Sequence, residues 1–496
     1  MGQGVLDYPR IATAGSKFMN ILFLAVECAP FYKVGGLADV IGSLPRALRD
    51  LGHDVRVAMP RYRSIGGAKH KLTRAGTTFT AYAGSEARPT EMLRSDASGV
   101  PTYFVWDERY FNRDMVYGQP DEVMSFVFFV RAVLEYLRLN EWLPDVLHAH
   151  DWHAALAPTW LDVLGRGDPR FASMASVFTI HNLAYQGVTG DAIWTFAGLP
   201  ARHQHLAVES PGTINWMARG IAHADVVNAV SARYAREIMK PQLGAGLDSL
   251  LRERKALVSG ILNGIDADVW NPADDEALAA RYDAGALDRR ARNKRALQRA
   301  LTLPQNGAPL VGMVTRLVEQ KGIDLLLNAA GDLLSRDVQL AVLGAGDPAY
   351  ESALQALAAR YPKKLAVAPR FDEALARLIF AGSDLFLMPS RYEPSGLSQM
   401  IAMRYGSVPI VRATGGLADS VKDVSRHRAS GTGFVFGPYT ARALLDAVDR
   451  ALKVYRSERA WRAIQTRVMQ ADFSWARAAR QYERLYRRAI QFHNAF

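Results

Sequence analysis

The 496-residue chain is 49% hydrophobic and 22% charged, too long for one compact core and too apolar for a disordered chain. Its single cysteine, Cys28, excludes an intrachain disulfide and fits a reducing, cytoplasmic setting. The net charge of +11 favours anionic partners such as phosphates and sugar nucleotides, but no nucleic-acid module accompanies it and no apolar run reaches membrane-spanning length, so neither nucleic acid nor membrane is expected.

Arg10 and Lys17 precede the apolar run 21–26, an order that resembles a signal peptide. The run is short, Glu27 interrupts it, and a glycine loop follows, so it reads as a first strand with residues 1–18 as a loose extension. Apolar, β-branched runs then alternate with helical patterns. In the first half they cover 20–26, 54–59, 102–106, 145–150, 176–180 and 225–230. In the second half they cover 258–262, 310–315, 339–343, 365–368, 384–388 and 408–411. Strands apolar throughout and separated by helices predict parallel sheets buried on both faces. Two such series predict an α/β protein of two doubly wound domains, 19–255 and 256–473. Stretches 83–97 and 424–433 read as loops. Past Ser474, a candidate cap, Trp475, Ala479, Tyr482, Tyr486 and Ala489 recur at helical steps. This predicts a helix over 474–496, packed back on the first domain.

The chemistry-bearing residues follow the predicted strands, where doubly wound sheets hold ligands. Lys33-Val34-Gly35-Gly36-Leu37-Ala38-Asp39 is either an anion site at a helix start or a tight strand–helix turn. His148-Ala149-His150-Asp151-Trp152-His153 matches no zinc spacing. Asp151 and Trp152 there suit a sugar's hydroxyls and ring face, or else a helix cap and a core indole. His181-Asn182 ends another strand. Arg316 and Lys321 are two cations able to neutralise a diphosphate, or a solvated pair. Glu393, in Pro389-Ser390-Arg391-Tyr392-Glu393-Pro394-Ser395-Gly396-Leu397, suits sugar hydroxyls or a cap. Thr414-Gly415-Gly416-Leu417-Ala418-Asp419 repeats the first glycine loop. The dinucleotide-like Gly344-Ala345-Gly346 and the D-x-D triplet Asp266-Ala267-Asp268 read as decoys, the first broken by Pro348 and the second in a loop.

Taken in order and spacing, these motifs resemble those of bacterial glycogen synthases and plant starch synthases, from about Met19 to the end. The resemblance implies a GT-B fold with two Rossmann-like domains facing across a cleft. It implies transfer of glucose from ADP-glucose to the non-reducing end of an α-1,4-glucan, with retention and without an obligatory metal or cofactor. Lys33, Gly35, Gly36 and Asn182 are then donor-binding residues. Arg316 and Lys321 grip the diphosphate, and Phe371 stacks on adenine. Glu393, with Ser395, Gly396 and Leu397, meets the glucose, and Thr414, Gly415 and Gly416 meet the distal phosphate. Asp151 and His181 match residues beside the transferred sugar. Val34 replaces a threonine, and Ser395 a cysteine, common in the bacterial enzymes. Transfer from UDP-glucose, another acceptor, or a silent glucan-binding relative are the alternatives. The sequence leaves oligomeric state open.

Overall fold

The computed structural model describes residues 18–200 and 205–495. Of the expected extension, only Phe18 lies among them. The chain divides into two compact units. The first runs to Val230 and adds 235–261 and the segment from Trp475 onward; the second is Ser231–Tyr234 with Leu262–Ser474.

The apolar runs become strands because β-branched and aromatic side chains fill both faces of a covered pleat. In the first unit these are β1 (Asn20–Leu24), β2 (Asp54–Pro60), β3 (Thr73–Arg74), β4 (Phe79–Ala83), β5 (Glu86–Ser95), β6 (Thr102–Trp106), β7 (Val146–His150), β8 (Ala175–Ile180), β9 (Val188–Gly190), β10 (Thr213–Asn215), β11 (Val226–Ala229) and β12 (Val258–Gly260). The main sheet has the order β12-β11-β8-β7-β1-β2-β6-β5-β3, with β4 paired to β5. Pairs from β12 to β6 are parallel; β5 runs antiparallel to its neighbours. β9 and β10 form a separate antiparallel pair.

Two expectations are corrected here. Residues 83–97, read as a loop, hold the whole of β5. Its polar residues alternate with half-buried ones because this edge of the sheet is covered on one face only, so no apolar run marks it. The run 258–262, read as the first strand of the second half, supplies β12, the outer strand of the first sheet, parallel to β11.

The second unit holds β13 (Leu310–Val314), β14 (Gln339–Leu343), β15 (Leu365–Ala368), β16 (Leu385–Met388), β17 (Val408–Arg412) and β18 (Phe434–Phe436). They form an all-parallel sheet of order β15-β14-β13-β16-β17-β18. Ile323, Leu326 and Leu333 of helix Ile323–Ser335 share its core with Phe386, Leu387 and Ile410. Both units are doubly wound. Strand order reverses between β1 and β7 in one and between β13 and β16 in the other, and such reversal points open crevices at the strands' carboxyl ends.

The terminal helix Trp475–His493 packs on helix Gly36–Asp50 and on β7, β8 and β11. Tyr482 and Tyr486 are fully buried, each worth about 2–3 kcal/mol of transfer free energy. Their hydroxyls are satisfied: the Asn228 amide donates to Tyr482 Oη at 3.1 Å, and Tyr486 Oη lies 2.9 Å from His148 Nδ1. At the helix end, His493 Nδ1 lies 3.1 Å from Asp225 Oδ1 and Nε2 lies 2.9 Å from the Ala172 carbonyl.

Those two acceptors suit an imidazolium, and the hydrogen bond to Asp225 raises the His493 pKa above its ordinary value against the opposing pull of burial and Arg166. A raised histidine stabilises the fold fully below the unfolded value near 6.5 and loses that contribution as pH rises through the folded value. Urea unfolding should therefore show a stability loss as pH rises above about 6.5 that His493→Gln lacks. An identical pH dependence in parent and variant would remove His493 from that role.

Candidate active site

In the first unit the candidates sit on the loops after β1, β7 and β8. The β1 loop leads through Lys33, Val34 and Gly35 into helix Gly36–Asp50. Its backbone donors are already engaged. The buried Glu27 carboxylate accepts the N–H groups of Val34 and Gly35, both at 2.7 Å through Oε2, and the Tyr117 hydroxyl at 2.6 Å through Oε1. Glu27 was read only as an interruption of the first apolar run. It is the internal anion of this loop, and burial beside it pushes the Tyr117 phenol far up. Lys33 pairs with Asp39 at 2.6 Å, a half-exposed contact worth little by itself. What stays open is space: a Cβ at Gly35 would meet nothing within 4 Å. The Val34 side chain is exposed, so the loop's shape does not depend on it.

Asp151 follows β7 with φ of 56°, the left-handed region that costs a non-glycine residue about 1–3 kcal/mol. Its Oδ1 accepts the backbone N–H of His181 at 2.7 Å and of Asn182 at 3.4 Å. The carboxylate thus ties the β7 loop to the β8 loop. Burial pushes the Asp151 carboxyl up to about 7, against the pull of those two donors. Trp152 is core: it lies in van der Waals contact range of Phe126 and His153, and a side chain at Gly187 would collide with its ring. The reading that its indole face meets a sugar is corrected. His153 is likewise buried in this aromatic group and held down to about 3 by burial.

In the second unit the loops after β13, β14, β16 and β17 converge. Lys321 Nζ sits 2.8 and 2.7 Å from the two oxygens of Glu393, whose carboxylate also accepts from Ser390 Oγ at 3.0 Å. Glu393 is 4% exposed, so its charge is balanced inside the protein. Arg316 is exposed, and its guanidinium has no hydrogen-bond or ion-pair partner among the described residues. The glycines are explained by crowding. A Cβ at Gly322 would strike the Pro389 carbonyl, one at Gly415 the Glu393 carbonyl, and one at Gly416 the Ser395 carbonyl. Gly416 N–H in turn donates to Glu393 O at 3.0 Å. Thr414 is buried just before that turn, and Gly396 takes φ of 68° after Ser395. The Ser395 hydroxyl is buried without a hydrogen-bond partner among the described residues, and Leu397 is half-buried. Phe371 is 88% exposed, a bare ring after β15.

The decoys have structural duties. Gly344 and Gly346 let the β14 loop lie against the Thr315 and Leu317 carbonyls, supporting the Arg316 loop. Asp266 accepts the N–H groups of Asp268 and Val269 in a turn. Among the described residues, no helix is long and apolar enough to cross a membrane.

A family model described as the starch synthase catalytic domain matches residues 20–253, and one described as glycosyl transferases group 1 matches 294–467. The chain is 43% identical to the glycogen synthase of Moorella thermoacetica over 96% of its length and 98% of that relative. It is 44% identical to the glycogen synthase of Syntrophotalea carbinolica over 96% of its length and 100% of that relative. The solved catalytic domain of starch synthase IV from Arabidopsis thaliana, bound to ADP and acarbose, matches with a TM-score of 0.88 at 34% identity, over 95% of this chain and 99% of that one. That likeness identifies the fold as GT-B.

Two substitutions test the local geometry. The unfolded Asp151 carboxyl titrates near 3.9 and the folded one at about 7, so within this window stability falls as pH rises. Asp151→Asn keeps an oxygen for both donors and tolerates positive φ, so it should gain on the parent at pH 8 relative to pH 5 in urea unfolding. Asp151→Ala, which orphans two N–H groups, should lose about 1–3 kcal/mol at both. Gly416→Ala should cost about 1–3 kcal/mol or more by overpacking, read as a lowered Tm. A Tm equal to the parent's would refute the close approach to Ser395.

Proposed function

We propose the reaction from one premise: the chain belongs to the glycogen synthase and starch synthase family of glycosyltransferases. It is a retaining glucosyltransferase that extends an α-1,4-glucan from ADP-glucose. The observation that supports the assignment of residues is in the second unit, where Lys321 on the β13 loop pairs with the buried Glu393 on the β16 loop at the sheet's reversal point, and Arg316 stands on the same β13 loop with its guanidinium unpaired among the described residues.

In this reading Arg316 and Lys321 hold the donor diphosphate. Arg316, unpaired, supplies a full positive charge and a two-pronged donor; Lys321 is held at a fixed place by Glu393. Glu393 takes hydroxyls of the glucose, and Thr414 to Gly416 bring backbone N–H groups toward the distal phosphate. Phe371 offers its open face to adenine. In the first unit Lys33, Gly35 and Gly36 meet the donor across the space left at Gly35, while Glu27 keeps the loop in shape. His181 and Asn182 face the transferred sugar. Asp151 acts through them, since its carboxylate is spent on their backbone.

Retention is reached by front-side attack. The acceptor 4-hydroxyl attacks the anomeric carbon on the face from which the diphosphate departs, and a phosphate oxygen takes its proton. The glycosyl carbon carries positive charge at the transition state and the leaving oxygen carries negative charge. Two cations aimed at that oxygen are worth several kcal/mol in a water-poor site. We place the enzyme in the cytoplasm, where its buried Cys28 thiol, pushed up to about 12, stays reduced.

Transfer of labelled glucose to glycogen from ADP-glucose and from UDP-glucose, side by side, tests the reading. Strong incorporation from ADP-glucose is expected, with Glu393→Ala and Lys321→Ala each falling by about 100-fold or more. Arg316→Lys, which keeps charge but loses the fork, should fall by about 10-fold or more. Near-normal kcat in these variants would sink the assignment of residues. No transfer from either donor by folded protein would point to another acceptor or to a glucan-binding role without catalysis.

A further inference from the structure

Behind the first unit's candidate residues lies a row of histidines that the reading above does not use. His148 and His150, alternate residues of β7, are fully buried, their ring centroids 4.0 Å apart. His148 is satisfied at both nitrogens, by Tyr486 Oη at 2.9 Å and Thr179 Oγ1 at 2.7 Å. His150 is satisfied at one. Its Nδ1 lies 2.9 Å from Nε2 of His181, and its own Nε2 is buried with no partner among the described residues. Its ring is stacked on Phe23 at 17°, which fixes its plane.

Two imidazole nitrogens at hydrogen-bond distance share one proton, so one ring donates and the other accepts. Burial lowers the pKa of both rings, that of His181 to about 3, so both are neutral in the working range. The orphan nitrogen then decides the direction. If His181 donated, His150 would carry its proton on Nε2, and a buried N–H would be left without an acceptor, the rarer of the two orphan states in folded proteins. With His150 donating from Nδ1, the orphan is a bare lone pair. His181 then accepts at Nε2 and carries its own proton on Nδ1. That nitrogen makes no hydrogen bond among the described residues and is not one of the buried unpaired atoms.

We propose that His150 is a positioning residue that locks His181 in the neutral Nδ1–H tautomer and so presents an N–H donor to a hydroxyl of the bound sugar. The assignment rests on the reading that His181 faces the transferred sugar. It explains why a histidine stands at position 150, where the neighbouring strand positions hold alanine and a fully paired histidine. The constraint is geometric: β7 and β8 are in parallel register through His150 and Thr179, one residue before Asp151 and two before His181.

The test has two independent readings. In protein labelled with 15N-histidine, a long-range proton–nitrogen correlation spectrum, assigned with His181→Asn, reports which His181 nitrogen bears the proton. Protonation at Nδ1 is expected; protonation at Nε2 overturns the proposal. His150→Phe keeps the ring volume and removes the donor, whereas the Nδ2 of His150→Asn falls near the lost Nδ1. His150→Phe should cut kcat/KM for the sugar nucleotide on the order of ten- to a hundredfold at unchanged Tm, and His150→Asn should recover most of it. Equal losses in both variants, or none in His150→Phe, would overturn the role. The tautomer is read without turnover. A folded enzyme that transfers glucose from no donor therefore counts against the proposed function, and the spectrum still judges His150.

Discussion

A parallel sheet covered on both faces leaves polar chemistry one place to stand, the loops beyond the carboxyl ends of its strands. The candidate site residues named here obey that constraint. The β1, β7 and β8 loops of the first sheet carry Lys33, Asp151 and His181, and the β13, β16 and β17 loops of the second carry Arg316, Glu393 and Thr414. In both sheets these strands flank the point where strand order reverses, so neighbouring loops diverge and leave room for a ligand between them. The second sheet adds backbone crowding. Gly322, Gly415 and Gly416 are glycines because loops from adjacent strands touch carbonyl to Cα there.

The same constraint makes the loops carry charge in dry surroundings, and each buried acid is answered locally. Glu27 is held by two backbone N–H groups and a phenol, Asp151 by two backbone N–H groups, and Glu393 by an ammonium and a hydroxyl. Removing either partner of such a pair leaves an uncompensated group whose cost exceeds the net worth of the contact. These acids therefore act first as fasteners that set loop shape. Arg316 stands apart, because no described residue cancels its charge, and in the proposed role it offers a phosphate a cation that needs no prior rearrangement.

Much of this was legible in the sequence, and the failures have physical causes. The central strands, such as 339–343 and 365–368, are apolar on both faces and announce themselves. β5 is polar on one face and β12 is a three-residue edge, so neither leaves an apolar run long enough to read or to place. The pentapeptide Gly-Gly-Leu-Ala-Asp occurs twice with different local physics. At Gly415 and Gly416 a neighbouring backbone forbids any side chain, while Gly35 faces open space. No single-sequence pattern distinguishes those cases, because the difference lies in what another loop brings alongside. Trp152 stayed open between two readings for a similar reason: an indole at a strand end serves a sugar or a core equally well until Phe126 and Gly187 are known to pack on it. Glu27 carried a usable signal, a carboxylate at the end of an apolar strand just before a glycine loop. A group that cannot stay charged and buried alone must be bonded to something near.

The floor of the first unit's candidate residues is set by the far end of the chain. Tyr486 bonds His148 on β7, and Tyr482 and Asn228 join Thr179 on β8 through a shared set of hydrogen bonds. His148 and Thr179 stand two residues before His150 and His181, so the terminal helix clamps the two strands whose next residues are Asp151 and His181. A hydrogen bond of 2.7 or 2.9 Å between fully buried groups tolerates little displacement before its desolvation cost reappears. The helix thus does more than bury tyrosines. By holding β7 and β8 in register it keeps the Asp151 carboxylate under the His181 backbone and His150 Nδ1 within 2.9 Å of the His181 ring.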